Sequence, residues 1–72
     1  QFVFEATPLA EVADEFNRYN KRRLVVRDAS LGDVRISGVF SAADTELFVR
    51  FLRNRPEILV TETDREIQVS RQ

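Results

Sequence analysis

Residues Thr7 to Asn20 read TPLAEVADEFNRYN, and this stretch decides the fold. Leu9, Val12, Ala13 and Phe16 fall at i, i+3, i+4 and i+7, one apolar stripe about 100° wide on an α-helix. Glu11, Asp14 and Glu15 take the wet side, with the acids early, where the helix dipole favours them. Thr7 has the chemistry of an N-cap, and Pro8 fits the first helical position, where a missing N–H costs nothing. At the far end Asn20 offers a left-handed C-terminal residue, and Lys21, Arg22 and Arg23 sit beside the free carbonyls. The stretch carries no chemistry of its own; it is a packing element.

Outward from this helix the pattern changes period. Gln1 to Ala6 alternates around Phe2 and Phe4 and reads as a strand feeding the helix. Leu24-Val25-Val26 is a β-branched run, a second strand. Asp28 to Asp33 is turn-rich, with Gly32 expected at positive φ. Val34, Ile36, Gly38 and Phe40 share one face of a third strand, with Arg35 and Ser37 on the other. Gly38 in mid-strand implies a bulge or a close backbone approach. Ser41-Ala42-Ala43-Asp44 has capping-box spacing and predicts a second helix from Ser41, with Leu47, Phe48, Phe51 and Leu52 buried. Asn54 and Pro56 stop it. Ile58 to Thr63 and Glu66 to Ser70 are two further strands around a turn at Asp64-Arg65.

The order is β-α-β, β-α-β, β, and the letters repeat as well. A shift of 35 residues lays Glu11 on Glu46, Phe16 on Phe51, Arg18 on Arg53, Leu24 on Leu59 and Val25 on Val60. Two βαβ-type units plus a final strand, with two helices packed on short sheets, make a small α+β domain.

Composition narrows the function. The 72 residues make one domain, and 43% apolar content with six Phe is enough for one small core. There is no Cys, hence no disulfide, no thiolate nucleophile and no Cys-based metal site. There is no His, the commonest general base and transition-metal ligand. Ser30, Ser37, Ser41 and Ser70 therefore have no imidazole to activate them. Asp and Glu are scattered over helix faces and turns, and Gly32 and Gly38 do not make a phosphate loop. No enzyme, cofactor or metal site is expected. Eleven basic against twelve acidic residues leave no footprint for nucleic acid. No apolar run approaches the roughly 20 residues of a membrane span. The chain opens on Gln1 and lacks Met, so it reads as a piece of a longer protein.

The one basic cluster is Arg18, Lys21, Arg22 and Arg23. It serves as a helix end or as a docking patch for an acidic partner. Tyr19 lies off the main stripe, leaning on the rim of the core or standing out as an aromatic anchor. Asn17 and Arg18 beside it are expected to face solvent, and Arg27 and Asp28 to form a local turn contact.

The runs FEATPLAEVADEFNRYNKR, LVVRDASL and VRISGVFSAAD resemble the C-terminal end of the FecR-like regulators, single-pass inner-membrane proteins that control an extracytoplasmic-function sigma factor. The resemblance is carried by F-x-x-T-P-L at Phe4 to Leu9, F-N-R-Y-N at Phe16 to Asn20, and I-S-G-V-F at Ile36 to Phe40. It spans nearly the whole chain and is strongest from Phe4 to Asp44. The region is also similar to the secretin and TonB short N-terminal (STN) domain, a fold of two βαβ-type units. In the transporters and secretins that carry this domain, the first helix ends in a run such as A-x-x-S-G and the second leads into L-x-G-T-G-L. Here FNRYNKRR and FLRNRPEIL stand in those places, which favours the regulator.

The resemblance implies a periplasmic relay. A siderophore- or haem-loaded TonB-dependent transporter presents its N-terminal signalling domain, this module binds it, and the signal crosses the membrane to the sigma factor. The module itself would bind no small molecule, no nucleic acid and no membrane. The alternative is the signalling domain of a transporter or an N-domain of a secretin.

A domain of small sheets has open strand edges on which a partner strand can add. Two edges qualify, Leu24 to Arg27 and Glu66 to Ser70. The first is preferred: Arg22, Arg23 and Arg27 flank Val25 and would steer an acidic surface, with Leu31 adding an apolar contact and Tyr19 an anchor. The competing reading makes this strand interior and its arginines merely solvated.

Overall fold

In a computed structural model that describes residues Gln1–Gln72, strand β1 (Phe2–Pro8) passes directly into helix α1 (Leu9–Tyr19). Then follow β2 (Arg23–Val26), a 3-10 turn (Ala29–Asp33), β3 (Arg35–Phe40), α2 (Thr45–Arg53), β4 (Ile58–Glu62) and β5 (Glu66–Arg71). β1 and β3 pair antiparallel as a two-stranded sheet. The other sheet has the order β2-β5-β4, with β2 parallel and β4 antiparallel to β5. The fold is therefore α+β, two helices on two small sheets. No helix is long and apolar enough to cross a membrane.

Sixteen residues are buried, all of them apolar, and they form a single cluster. α1 contributes Leu9, Val12, Ala13 and Phe16, the stripe its spacing dictates. Phe2 and Phe4 point inward from β1, Ile36 from β3, and Ile67 and Val69 from the central strand β5. Aromatic rings link these layers: Phe16 meets Phe48 at 5.5 Å between centroids, and Phe40 meets Phe48 and Phe51 at 5.1 Å each. Each fully buried side chain of this size contributes about 1.5–3 kcal/mol, and no buried polar group subtracts from the sum.

The repeat exists in space at an offset of 36, the separation of the paired residues Val3 and Val39. Phe2 pairs with Phe40 and Phe4 with Gly38, so the ladder maps onto itself when each residue is replaced by its equivalent in the other unit. The second sheet obeys the same rule around β5. Leu24, Ile67 and Glu62 form one row, Val26, Val69 and Val60 another, with Val25, Gln68 and Thr61 between them. A pseudo-twofold axis thus runs from the Val3–Val39 pair to Gln68. The 35-residue shift suggested by identical letters is one residue out. It lays buried Leu24 on Leu59 and buried Val12 on Leu47, which are 48% and 53% exposed. A one-residue slip in a strand turns every side chain to the opposite face.

The helix ends differ from expectation. Thr7 belongs to β1, where its Oγ1 accepts from the Glu5 N–H at 3.2 Å. Pro8 stands at the cap position, and the Leu9 N–H is met by the Val34 carbonyl at 2.8 Å, so a neighbouring segment does the capping. Asn20 is extended, at φ −127°, and its Nδ2 donates to the Phe16 carbonyl at 3.0 Å. α2 starts three residues later than the capping-box spacing implies. Asp44 is itself the cap, accepting from the Leu47 N–H, while Ser41 accepts from Ala43 in the preceding turn. The helix therefore turns Val49 inward with Phe48 and Leu52, leaves Phe51 half-buried, and puts Leu47 outside.

Gly32 is not at positive φ; it lies 3.6 Å (from its would-be Cβ) beneath the Ala10 methyl. Gly38 is, at φ +147°, with the Phe40 ring 3.1 Å from where a Cβ would stand. The bulge that Gly38 hinted at lies across the ladder, on β1 between Phe4 and Thr7. Ala6 sits there at φ +50°, its N–H donating to Ser37 Oγ at 2.9 Å and its carbonyl accepting from Arg35 at 3.2 Å.

Candidate functional site

β2 is an edge strand, bonded to β5 on one side only. The reading that made it interior is thereby corrected, and so is the expectation that Glu66 to Ser70 forms an edge, since β5 is the central strand. The Arg23 and Arg27 N–H groups donate to the Arg65 and Val69 carbonyls of the β5 side, at 3.0 and 2.8 Å. By the alternation of a strand, Leu24 and Val26 then turn their main-chain groups outward. Arg23, Val25 and Arg27 lie together on the solvent face of the sheet, as their alternation predicts.

The outward edge is not bare. Asn17 Oδ1 accepts from the Leu24 N–H at 2.7 Å, and Asn17 Nδ2 donates to the Leu24 carbonyl at 3.0 Å. A side chain expected to face solvent thus plugs the edge. One step along, the Val26 N–H and carbonyl face a groove of about 430 Å³ between α1 and β2. Ala10, Ala13, Asp14, Asn17 and Val26 line it, the two alanines keeping it open.

Its counterpart lies between α2 and β4 and is lined by Glu46, Val49, Arg50, Arg53 and Glu62. Each of these is the repeat equivalent of a lining residue in the first groove. Arg53, the equivalent of Asn17, donates to the carbonyl of Val60, the equivalent of Leu24, at 3.3 Å. Here the groove is smaller, about 280 Å³, and its rim is charged: Glu62 holds Arg53 and Arg22, each at 2.9 Å. These two guanidiniums, Arg53 first, hold the Glu62 carboxyl below its ordinary value.

The remaining candidates are dispersed. Arg22 belongs to this ion network, and Arg27 pairs with Glu66 at 3.4 Å rather than with Asp28. Asp28 instead accepts from Ser30, which lowers its pKa, and reaches Arg71 at 3.9 Å. Arg23 has no carboxylate partner. Tyr19 is 64% exposed, its ring centroid 5.8 Å from that of Phe2, so it is both a lid on the rim and an accessible aromatic. Leu31 is fully buried, anchoring the 3-10 turn in the core, and offers no contact to a partner.

The structure brings Arg23, Val25 and Arg27 together and removes Leu31. It adds Asn17, Val26, Ala10 and Ala13, whose shared role follows from a groove the linear pattern does not display. A scan against protein-family models and a search of the curated proteins find no match to the chain.

Proposed function

We propose that the chain is a periplasmic protein-interaction module, the STN-like end of a FecR-like sigma-factor regulator. It would bind the N-terminal signalling domain of a TonB-dependent siderophore or haem transporter and relay an iron-uptake signal. The observation that supports this most is the position of the three resembling motifs. Phe4 to Leu9 forms the bulged corner from β1 into α1, and Phe16 to Asn20 is the end of α1 that plugs β2. Ile36 to Phe40 lies within β3, whose Gly38 lies under the Phe40 ring. Each motif thus sits at a joint that this architecture needs. The work of such a module is recognition, which an open strand edge flanked by cations suits.

Titration calorimetry against the signalling domain of the transporter encoded beside this protein tests the reading. Saturable binding, unaffected by metal or nucleotide, is the expected result. No heat and no co-elution at high micromolar concentration, with both proteins folded, overturns it.

A further inference from the structure

The two grooves share a backbone plan and differ in lining, and that difference marks one of them as a receiving site. In the α2–β4 groove, lined by the long side chains of Glu46, Arg50, Arg53 and Glu62, the free space is about 280 Å³ against about 430 Å³, and Arg53 with Glu62 is held by an ion pair. At the equivalent places the α1–β2 groove has Ala10, Asp14, Asn17 and Val26. No ion pair crosses it, since neither Asp14 nor Arg23 takes part in any. What it presents is main chain: the outward N–H and carbonyl of Val26, and those of Leu24 held only by a carboxamide. A donor and an acceptor on every second residue of an edge are matched by one kind of group, another extended backbone.

The geometry points to the α1–β2 groove as an acceptor site for an extended strand of the partner protein, with Asn17 as its gate. The incoming main chain takes over both Leu24 bonds from the Asn17 carboxamide and adds those of Val26. The inference rests on the binding role proposed above and assigns its surface.

Charge selects the occupant. A second copy that used both Leu24 and Val26 in an antiparallel pairing would be centred on Val25. That register sets Arg23 of each copy opposite Arg27 of the other, two like-charge pairs on one face. A foreign strand with carboxylates at those two places meets Arg23, which has no other partner, and Arg27, which shares Glu66. Between the acids, the residue opposite Val25 is apolar. The residues on the other face stand over Ala10 and Ala13 and are small and apolar. The partner segment is therefore acid-ended and apolar in its middle three positions.

Two capped peptides test this on the isotope-labelled chain by NMR, one with the core Glu-Ala-Val-Ala-Glu and one with Lys-Ala-Val-Ala-Lys. The acid-ended peptide is expected to shift the Leu24 and Val26 amides and the Asn17 side-chain amide, and to bind at least about tenfold more tightly than the other. Arg23→Glu with Arg27→Glu is expected to reverse that preference. No shift at Leu24 and Val26 with millimolar peptide, or an equal response to both peptides, overturns the proposal. Asn17→Ala should bind the acid-ended peptide more tightly than the parent; a folded variant that binds more weakly removes the gate. Should the variant not fold, an Asn17 side-chain signal in the parent that stays still on binding removes it equally. Binding of the transporter domain that leaves Val26 amide exchange unchanged would sink the groove and keep the function. Peptide binding in the groove without any heat from that domain would do the reverse.

Discussion

Asn17 holds Leu24 as a neighbouring strand would, accepting from its N–H at 2.7 Å and donating to its carbonyl at 3.0 Å. Truncation to alanine leaves both main-chain groups without a protein partner at a part-buried edge. The cost expected is about 1–3 kcal/mol, the desolvation of what is left unpaired. Amide hydrogen exchange reads it directly. The Leu24 amide should lose protection in Asn17→Ala while that of Ile67, in the central strand, falls only as far as global stability does. Unchanged Leu24 protection relative to Ile67 would remove the edge-plug role.

Phe16 and Leu47 form a paired test of the core. Phe16 is 2% exposed and packs on Phe2 and Phe48, whereas Leu47 is 53% exposed on the back of α2. Phe16→Ala should cost about 3–5 kcal/mol, most of what a domain this small possesses. Leu47→Ala should stay within about 0.5 kcal/mol of the parent. Thermal melts decide: a midpoint for Phe16→Ala within a few degrees of the parent contradicts this core, as would a large loss from Leu47→Ala.

Gly38 is where an alanine should be costly. Its φ of +147° is open to glycine and strained for other residues, and an added Cβ would stand 3.1 Å from the Phe40 ring. Since Phe40 is wedged between Phe4, Phe48 and Phe51, it has little room to yield. We expect Gly38→Ala to lose about 1–3 kcal/mol in denaturant unfolding. A midpoint equal to the parent's would show that the ring moves aside freely.

Glu62 predicts a pH dependence. Arg53 and Arg22 hold its folded pKa below the ordinary 4.5. A depressed carboxylate stabilises the fold above its unfolded pKa, and the contribution is lost as pH falls through the folded value. Asp28, lowered by Ser30, and Glu57, lowered by Arg55, act in the same direction. Stability should therefore be level near neutrality and decline below about pH 4.5. Because the pairs are partly exposed, Glu62→Gln should cost below about 1 kcal/mol at neutral pH. Its melting temperature should draw toward the parent's as the pH falls below 4.5 and the parent's Glu62 begins to take up its proton. Curves that run parallel from pH 7 to pH 3 would show that Glu62 is not the group titrating.

Much of the architecture was legible because periodicity reports which face of an element is buried. The α1 stripe and the inward residues of β1, β3 and β5 needed only the periods 3.6 and 2. The same reasoning failed on α2, where Leu47, Phe48, Val49, Phe51 and Leu52 offer overlapping stripes. The cap at Asp44 and the rings of Phe16 and Phe40 chose among them, and neither is a property of the helix alone. Leu31 misled for a related reason: a leucine in a polar turn looks available until the core beneath it is assembled.

By itself, then, the sequence determined the element order, the α+β class, the α1 face and the absence of His and Cys, because each depends on residue type and near-neighbour spacing. Tertiary structure alone decided which strands of the larger sheet are its edges, since β5 enters between β2 and β4 from the far end of the chain. It also decided that Asn17 meets Leu24 and that two grooves share one plan at an offset of 36, set by the Val3–Val39 pairing. Hydrogen-bond partners across a sheet and over its edge are chosen by long-range register, and register exists only once the strands have been brought together.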